Sequence, residues 1–82
     1  LATELGGSNI RVNAIAPGPI DTEANRSSTP QSMVKEMVDK LPLKRMGQPD
    51  DLVGMLLFLL SEEASWVTGQ IFNVDGGQII RS

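Results

Sequence analysis

Between Ile10 and Ile15 the apolar residues Ile10, Val12 and Ile15 interleave with Arg11, Asn13 and Ala14. That short period predicts a strand over 10–15, and Pro17-Gly18-Pro19 predicts a sharp exit from it. Ahead of the strand, Leu1-Ala2-Thr3-Glu4-Leu5 has good helix formers and meets a stop at Gly6-Gly7. No start signal precedes Leu1, so residues 1–5 read as the end of a longer helix. The stretch 17–28 is rich in turn residues and predicts a loop.

The period then lengthens. Met33, Val34, Met37, Val38 and Leu41 recur at helical spacing and form one apolar stripe. With Thr29 as the expected cap, Pro30 in the first position and Pro42 as the stop, this predicts a helix over 29–41. A second helix is predicted over 49–62, opening at Pro49 with Asp50 and Asp51 in its first turn, where the dipole favours acids. From Leu52 to Leu60 every residue but Gly54 is apolar. A helix apolar all round has to be covered on more than one side, by a sheet and by another element or subunit. Gly54 costs on the order of 1 kcal/mol against alanine in mid-helix, which close helix packing would explain. Gln70-Ile71-Phe72-Asn73-Val74 predicts a strand over 70–74, closed by Asp75-Gly76-Gly77.

Strand, helical crossover and strand make a right-handed βαβ unit, so the fold class is α/β with a parallel sheet. Two parallel strands do not make a stable sheet, because such sheets are covered on both faces and need neighbours. The chain therefore reads as incomplete on its own.

Composition removes several classes of function. A net charge of −3 without a basic cluster argues against nucleic acid. There is no cysteine and no histidine, hence no disulfide, no thiolate site and neither of the commonest groups for base catalysis and metal ligation. The longest apolar run, Met55 to Leu60, is too short to cross a membrane. Asp50 with Asp51 and Glu62 with Glu63 are neighbours at helix ends, where solvated capping rather than paired-carboxylate catalysis is their ordinary role. Asp75 alone supplies too few ligands for a metal loop. No catalytic residue and no metal site is expected.

The order of blocks carries a family resemblance. Leu1-Ala2-Thr3-Glu4-Leu5, Ile10-Arg11-Val12-Asn13, Pro17-Gly18-Pro19-Ile20-Asp21-Thr22 and Arg45-Met46-Gly47-Gln48-Pro49-Asp50-Asp51 resemble the C-terminal part of short-chain dehydrogenases/reductases. The resemblance continues through Phe58-Leu59-Leu60-Ser61, Val67-Thr68-Gly69-Gln70 and Val74-Asp75-Gly76-Gly77. It implies the C-terminal βαβ portion of a doubly wound Rossmann-type sheet. It further implies an NAD(P)-dependent oxidoreductase that moves hydride between cofactor and a carbonyl or alcohol. The branch resembled includes 3-oxoacyl-carrier-protein reductases and sugar or alcohol dehydrogenases.

The family's phosphate loop, catalytic serine and Tyr-x-x-x-Lys pair would lie upstream of Leu1; the chain contains no tyrosine.

By the same resemblance Pro17 and Gly18 form the wall against which the nicotinamide packs, a tight turn being their plainer role. The main-chain groups of Ile20 would face the nicotinamide carboxamide, and the Thr22 hydroxyl would bond the carboxamide or pyrophosphate. Ile20 as core and Thr22 as loop hydroxyl or helix cap are the alternatives. The 17–28 loop becomes a cofactor and substrate loop, and the 29–41 helix a packing face that also serves as a lid over an apolar substrate. Asn13 is expected to be structural, and Arg26 to be solvated rather than a substrate anchor.

NAD and NADP stay equally open. Self-association as a homotetramer is expected through the 52–60 helix and the 70–74 strand, and the location expected is cytoplasmic. The alternative is an inactive truncated chain acting as a packing or oligomerisation module.

Overall fold

In the computed structural model residues 1–79 are described. Helix α1 (Ala2–Gly6) leads through a turn to strand β1 (Ala14–Pro17), followed by helices α2 (Glu23–Ser28), α3 (Gln31–Lys40) and α4 (Asp50–Leu60). A single 3-10 turn (Glu62–Ala64) and strand β2 (Ile71–Val74) complete the order. The two strands run parallel, with Ala14 opposite Ile71 and Pro17 opposite Val74.

The ladder is shorter than the alternation over 10–15 predicts. Residues 67–70 turn through Gly69, whose φ is +74°, and cannot offer a straight partner to residues 10–13. One backbone bond, Gly69 N to Val12 O at 2.8 Å, and several side-chain bonds continue the pairing. Val12 N donates to Thr68 Oγ1 at 3.0 Å, Gln70 N donates to Asn13 Oδ1 at 3.1 Å, and Asn13 Nδ2 donates to Val67 O at 2.9 Å. Arg11 reaches the end of α4, where Nη1 donates to Leu59 O at 2.8 Å. That bond satisfies one of the carbonyls a helix C-terminus leaves free.

The stretch 17–28 is not all loop, which corrects the expectation. Thr22, extended at φ −121°, caps α2 by accepting from Asn25 N at 3.2 Å. The serines that read as turn residues bond back into the helix: Ser27 Oγ donates to Glu23 O at 3.1 Å and Ser28 Oγ to Ala24 O at 2.9 Å. Thr29 does not cap α3 either. A residue before proline is driven to extended backbone; Thr29 (φ −112°, ψ 120°) closes α2, and Pro30 takes the cap position of α3. The same rule ends α3 at Lys40, leaving Leu41 extended before Pro42.

α4 opens after a helical Pro49 and carries Asp50 and Asp51 in its first turn. The predicted helix over 49–62 stops two residues short: Ser61 turns extended and the 3-10 turn forms. Leu41, Leu59 and Ala64 are the buried apolar residues. Much of α4 is not covered by this chain: Leu57 is 62% and Leu60 72% exposed. Outside its own helix, no atom of the described residues lies within 4 Å of where a Gly54 Cβ would stand, so the close helix packing expected there is not made among them. Among the described residues no helix is long and apolar enough to cross a membrane.

Candidate functional site

Strands β1 and β2 end side by side, at Pro17 and Val74. The crevice outside the carboxyl ends of parallel strands is where ligands of open α/β sheets bind. Gly18 continues the ladder by one bond, its N–H donating to Val74 O at 3.2 Å. A Cβ on Gly18 would stand 2.7 Å from Asp75 Cβ, 2.8 Å from its Cα and 2.9 Å from its carbonyl oxygen. Glycine is therefore needed here by the neighbouring chain segment itself. Asp75 is held in turn, its Oδ1 accepting from Gly77 N and its Oδ2 from Ile79 N, both at 3.0 Å.

Beyond Gly18 the chain lies along the segment that precedes α4. Gly47 N donates to Pro19 O at 2.8 Å, and Asp21 N donates to Gly47 O at 2.7 Å. These bonds straddle Ile20. Ile20 lines a small cavity of about 160 Å³ together with Leu41 and Val74. Ile20 O accepts from Asn25 Nδ2 at 2.6 Å, while its N–H has no protein partner among the described residues.

An open cleft of about 780 Å³ lies between the 17–21 segment and α3. Pro17, Gly18 and Pro19 form one wall, and Val34 and Met37 of α3 face it. Met46 and Gln78 also line it. At its edge Arg26 Nε stands 3.3 Å from Asp21 Oδ1, so this arginine is already paired.

The structure thus brings Pro17 and Gly18 together on the cleft wall. Ile20 is not among the residues lining the cleft, and Thr22 is a helix cap whose hydroxyl proton has no acceptor among the described residues. The residues sequence reasoning missed are Met46, Gln78 and Asn25. Of these only Asn25 carries a readable signal, three residues after a threonine cap.

Carboxylates near the cleft are all engaged. Asp21 faces Arg26, Asp75 caps its own turn, and Asp51 is gripped by Arg45, Nη1 donating to Oδ2 at 2.7 Å and Nη2 to Oδ1 at 3.0 Å. Gln48 N also donates to Asp51 Oδ2 at 2.7 Å. These hydrogen bonds lower the Asp51 carboxyl to about 2, and the same contact raises the Arg45 guanidinium. No group of metal-ligating side chains gathers among the described residues. The arrangement is a cleft with a backbone wall, in which the carboxylates named here are already engaged.

A parallel strand pair with a cleft at its carboxyl ends is the arrangement of α/β proteins that bind ligands at strand ends. A family described as enoyl-(acyl carrier protein) reductase matches residues 1–78. The chain belongs to the short-chain dehydrogenases/reductases, as the C-terminal βαβ portion of their doubly wound sheet.

It is 74% identical, over all 82 residues, to an uncharacterized oxidoreductase of Mycobacterium tuberculosis strain H37Rv, of which it covers 33%. Among solved structures it resembles a 7α-hydroxysteroid dehydrogenase complexed with NADH and 7-oxo glycochenodeoxycholic acid, at 46% identity and a TM-score of 0.89. That match covers 98% of this chain and 32% of the other. A blue fluorescent protein from a metagenomic library, in complex with NADPH, matches at 38% identity and a TM-score of 0.85, with 96% and 31% covered. The chain spans about a third of the length of these relatives.

Proposed function

We propose that this chain forms the nicotinamide-side wall and the substrate lid of an NAD(P)-dependent oxidoreductase acting on a carbonyl or alcohol. The observation that carries the reading is the cleft at the strand ends, walled by Pro17, Gly18 and Pro19 and faced by apolar α3 residues. When bound, the cofactor supplies hydride exchange with the substrate carbon.

The residues present fit a nicotinamide. A carboxamide needs one acceptor and one donor; among the described residues the Ile20 N–H has no partner, its carbonyl keeps a second lone pair, and the Thr22 hydroxyl proton has no acceptor. Pro17 holds its backbone rigid, so the wall sets which ring face meets the substrate. α3 is bracketed by two X-Pro segments, Thr29-Pro30 and Leu41-Pro42, whose restricted backbones suit the ends of a lid. Val34 and Met37 would then cover an apolar part of the substrate.

The carboxylates near the cleft are engaged in ion pairs and turn caps, and the chain contains no tyrosine or histidine, so the proton that accompanies hydride transfer is assigned to a group outside these residues. Taken alone, they are expected to be inactive. NAD and NADP both fit this wall. Leu56, Leu57, Leu60 and Ile71 are exposed apolar residues of α4 and β2, and they support self-association as a homotetramer. A reaction that draws on the soluble nicotinamide pool fits a cytoplasmic location.

The test joins intact mass with binding. The protein carrying this chain is expected to be well above 8.8 kDa and to bind and oxidise NADH or NADPH with a ketone panel. A mass near 8.8 kDa would favour the packing module, and failure to bind either nucleotide would sink the oxidoreductase reading.

A further inference from the structure

Ile20 does not hold its own position. The two bonds that straddle it, Gly47 N to Pro19 O and Asp21 N to Gly47 O, orient the peptide planes on either side. Gly47 lies in the segment between α3 and α4, outside any helix or named strand. A Cβ there would sit 2.7 Å from Ile20 Cδ1 and 3.3 Å from Pro19 O, so the close approach depends on a missing side chain. What fixes Gly47 is the pair on either side of it. Arg45 and Asp51 close a two-bond fork across the segment, Asp51 also accepts from Gln48 N, and Arg45 Nη1 donates to Met46 O at 3.1 Å. The segment is thus tied at residues 45, 46, 48 and 51 around Gly47.

We propose that Arg45 and Asp51 are a positioning pair for the cofactor: by fixing Gly47 they set the direction of the Ile20 N–H that meets the nicotinamide carboxamide. The inference rests on the nicotinamide reading of the cleft. Neither side chain touches the ligand, and their effect passes through two backbone hydrogen bonds. A bidentate fork suits this role because it fixes orientation as well as distance. An ion pair this exposed contributes little to global stability, so a positioning role and a purely structural one predict different readouts.

The experiment uses the full-length protein that carries this chain. Wild type, Arg45→Gln, Asp51→Asn and the double variant are titrated with NADH and NADPH by fluorescence, with circular dichroism and thermal unfolding alongside. Expected are a rise of about tenfold in nucleotide Kd for each single variant, no further rise in the double, and a substrate KM within about twofold. Arg45→Lys keeps the charge but not the fork and should fall between. It also serves if Arg45→Gln does not fold. A nucleotide Kd within twofold of wild type in the folded variants overturns the proposal, as does a loss that only follows the fall in thermal stability. A wild-type protein that binds neither nucleotide refutes the cofactor reading, a result separate from variants that bind normally.

Discussion

Replacing Gly18 with alanine places the new Cβ 2.7 Å from Asp75 Cβ and 2.8 Å from its Cα, where ordinary contact begins at 3.4 Å. Backbone must therefore move by roughly 0.7 Å, because no side-chain rotation of Asp75 removes its Cα or its carbonyl oxygen. Such overpacking costs about 1–3 kcal/mol. The Gly18 N to Val74 O bond, already 3.2 Å long, is stretched as well, at about 1 kcal/mol. The sum is roughly 2–4 kcal/mol, which in a domain of about 150–250 residues lowers Tm by roughly 4–16 °C. The assay is thermal unfolding of the nucleotide-free protein. If Gly18 served only to admit the cofactor, the alanine variant would unfold like wild type and lose only nucleotide affinity. That result would refute the packing argument.

Thr22 separates capping from cofactor binding. Thr22→Ser should match wild type; Thr22→Asp should keep the cap but lose the hydroxyl donor and weaken nucleotide binding. Thr22→Val should lose both, with about 1 kcal/mol less stability, and unchanged nucleotide affinity in the aspartate variant would remove Thr22 from the cofactor site. For Asp51, the folded-state carboxyl lies at about 2 against an ordinary 3.8, held by Arg45 and Gln48 N. The depressed value means that its stabilising effect is present above about pH 4 and fades as pH falls toward 2. A Tm–pH series should show a small Asp51→Asn deficit, as befits an exposed pair, that closes across that window, and a deficit that widens as pH falls would contradict the pairing. On α4, Leu57→Asp with Leu60→Asp should reduce the assembled mass in light scattering, and an unchanged mass would place the interface elsewhere.

The strand–turn passage, the α3 stripe and the unbroken apolar run of α4 were legible because each is written in contiguous local sequence. Thr22 shows why α2 was not. A cap and six helical residues of mixed polarity, Glu-Ala-Asn-Arg-Ser-Ser, carry no apolar stripe, and their serines are compatible with turn and helix alike. The start of β1 failed for another reason. Ile10 to Asn13 have the alternation of a strand, yet their partner segment bends at Gly69, and pairing is decided by the partner as much as by the strand. At the cleft, Pro17 and Gly18 could be read from one segment. Met46 and Gln78 reach it from segments 29 and 61 positions further along, and no local pattern encodes that approach.

The two glycines that look permissive in the sequence turn out to be braces in the fold. Gly18 admits the backbone of Asp75, and Gly47 admits Ile20 and Pro19, so the cleft wall is pressed between β2's closing turn and the segment ahead of α4. Asp75 and Asp51 each spend two or more acceptor contacts holding those flanking pieces. A wall held from both sides loses little freedom when a planar ring settles on it, which lowers the ordering cost of binding. α3, by contrast, has no buried residue and meets the wall only across an open cleft. The division of labour follows from this contrast. On the proposed reading, orientation of the cofactor falls to the braced side and adaptation to substrate to the less buried helix α3.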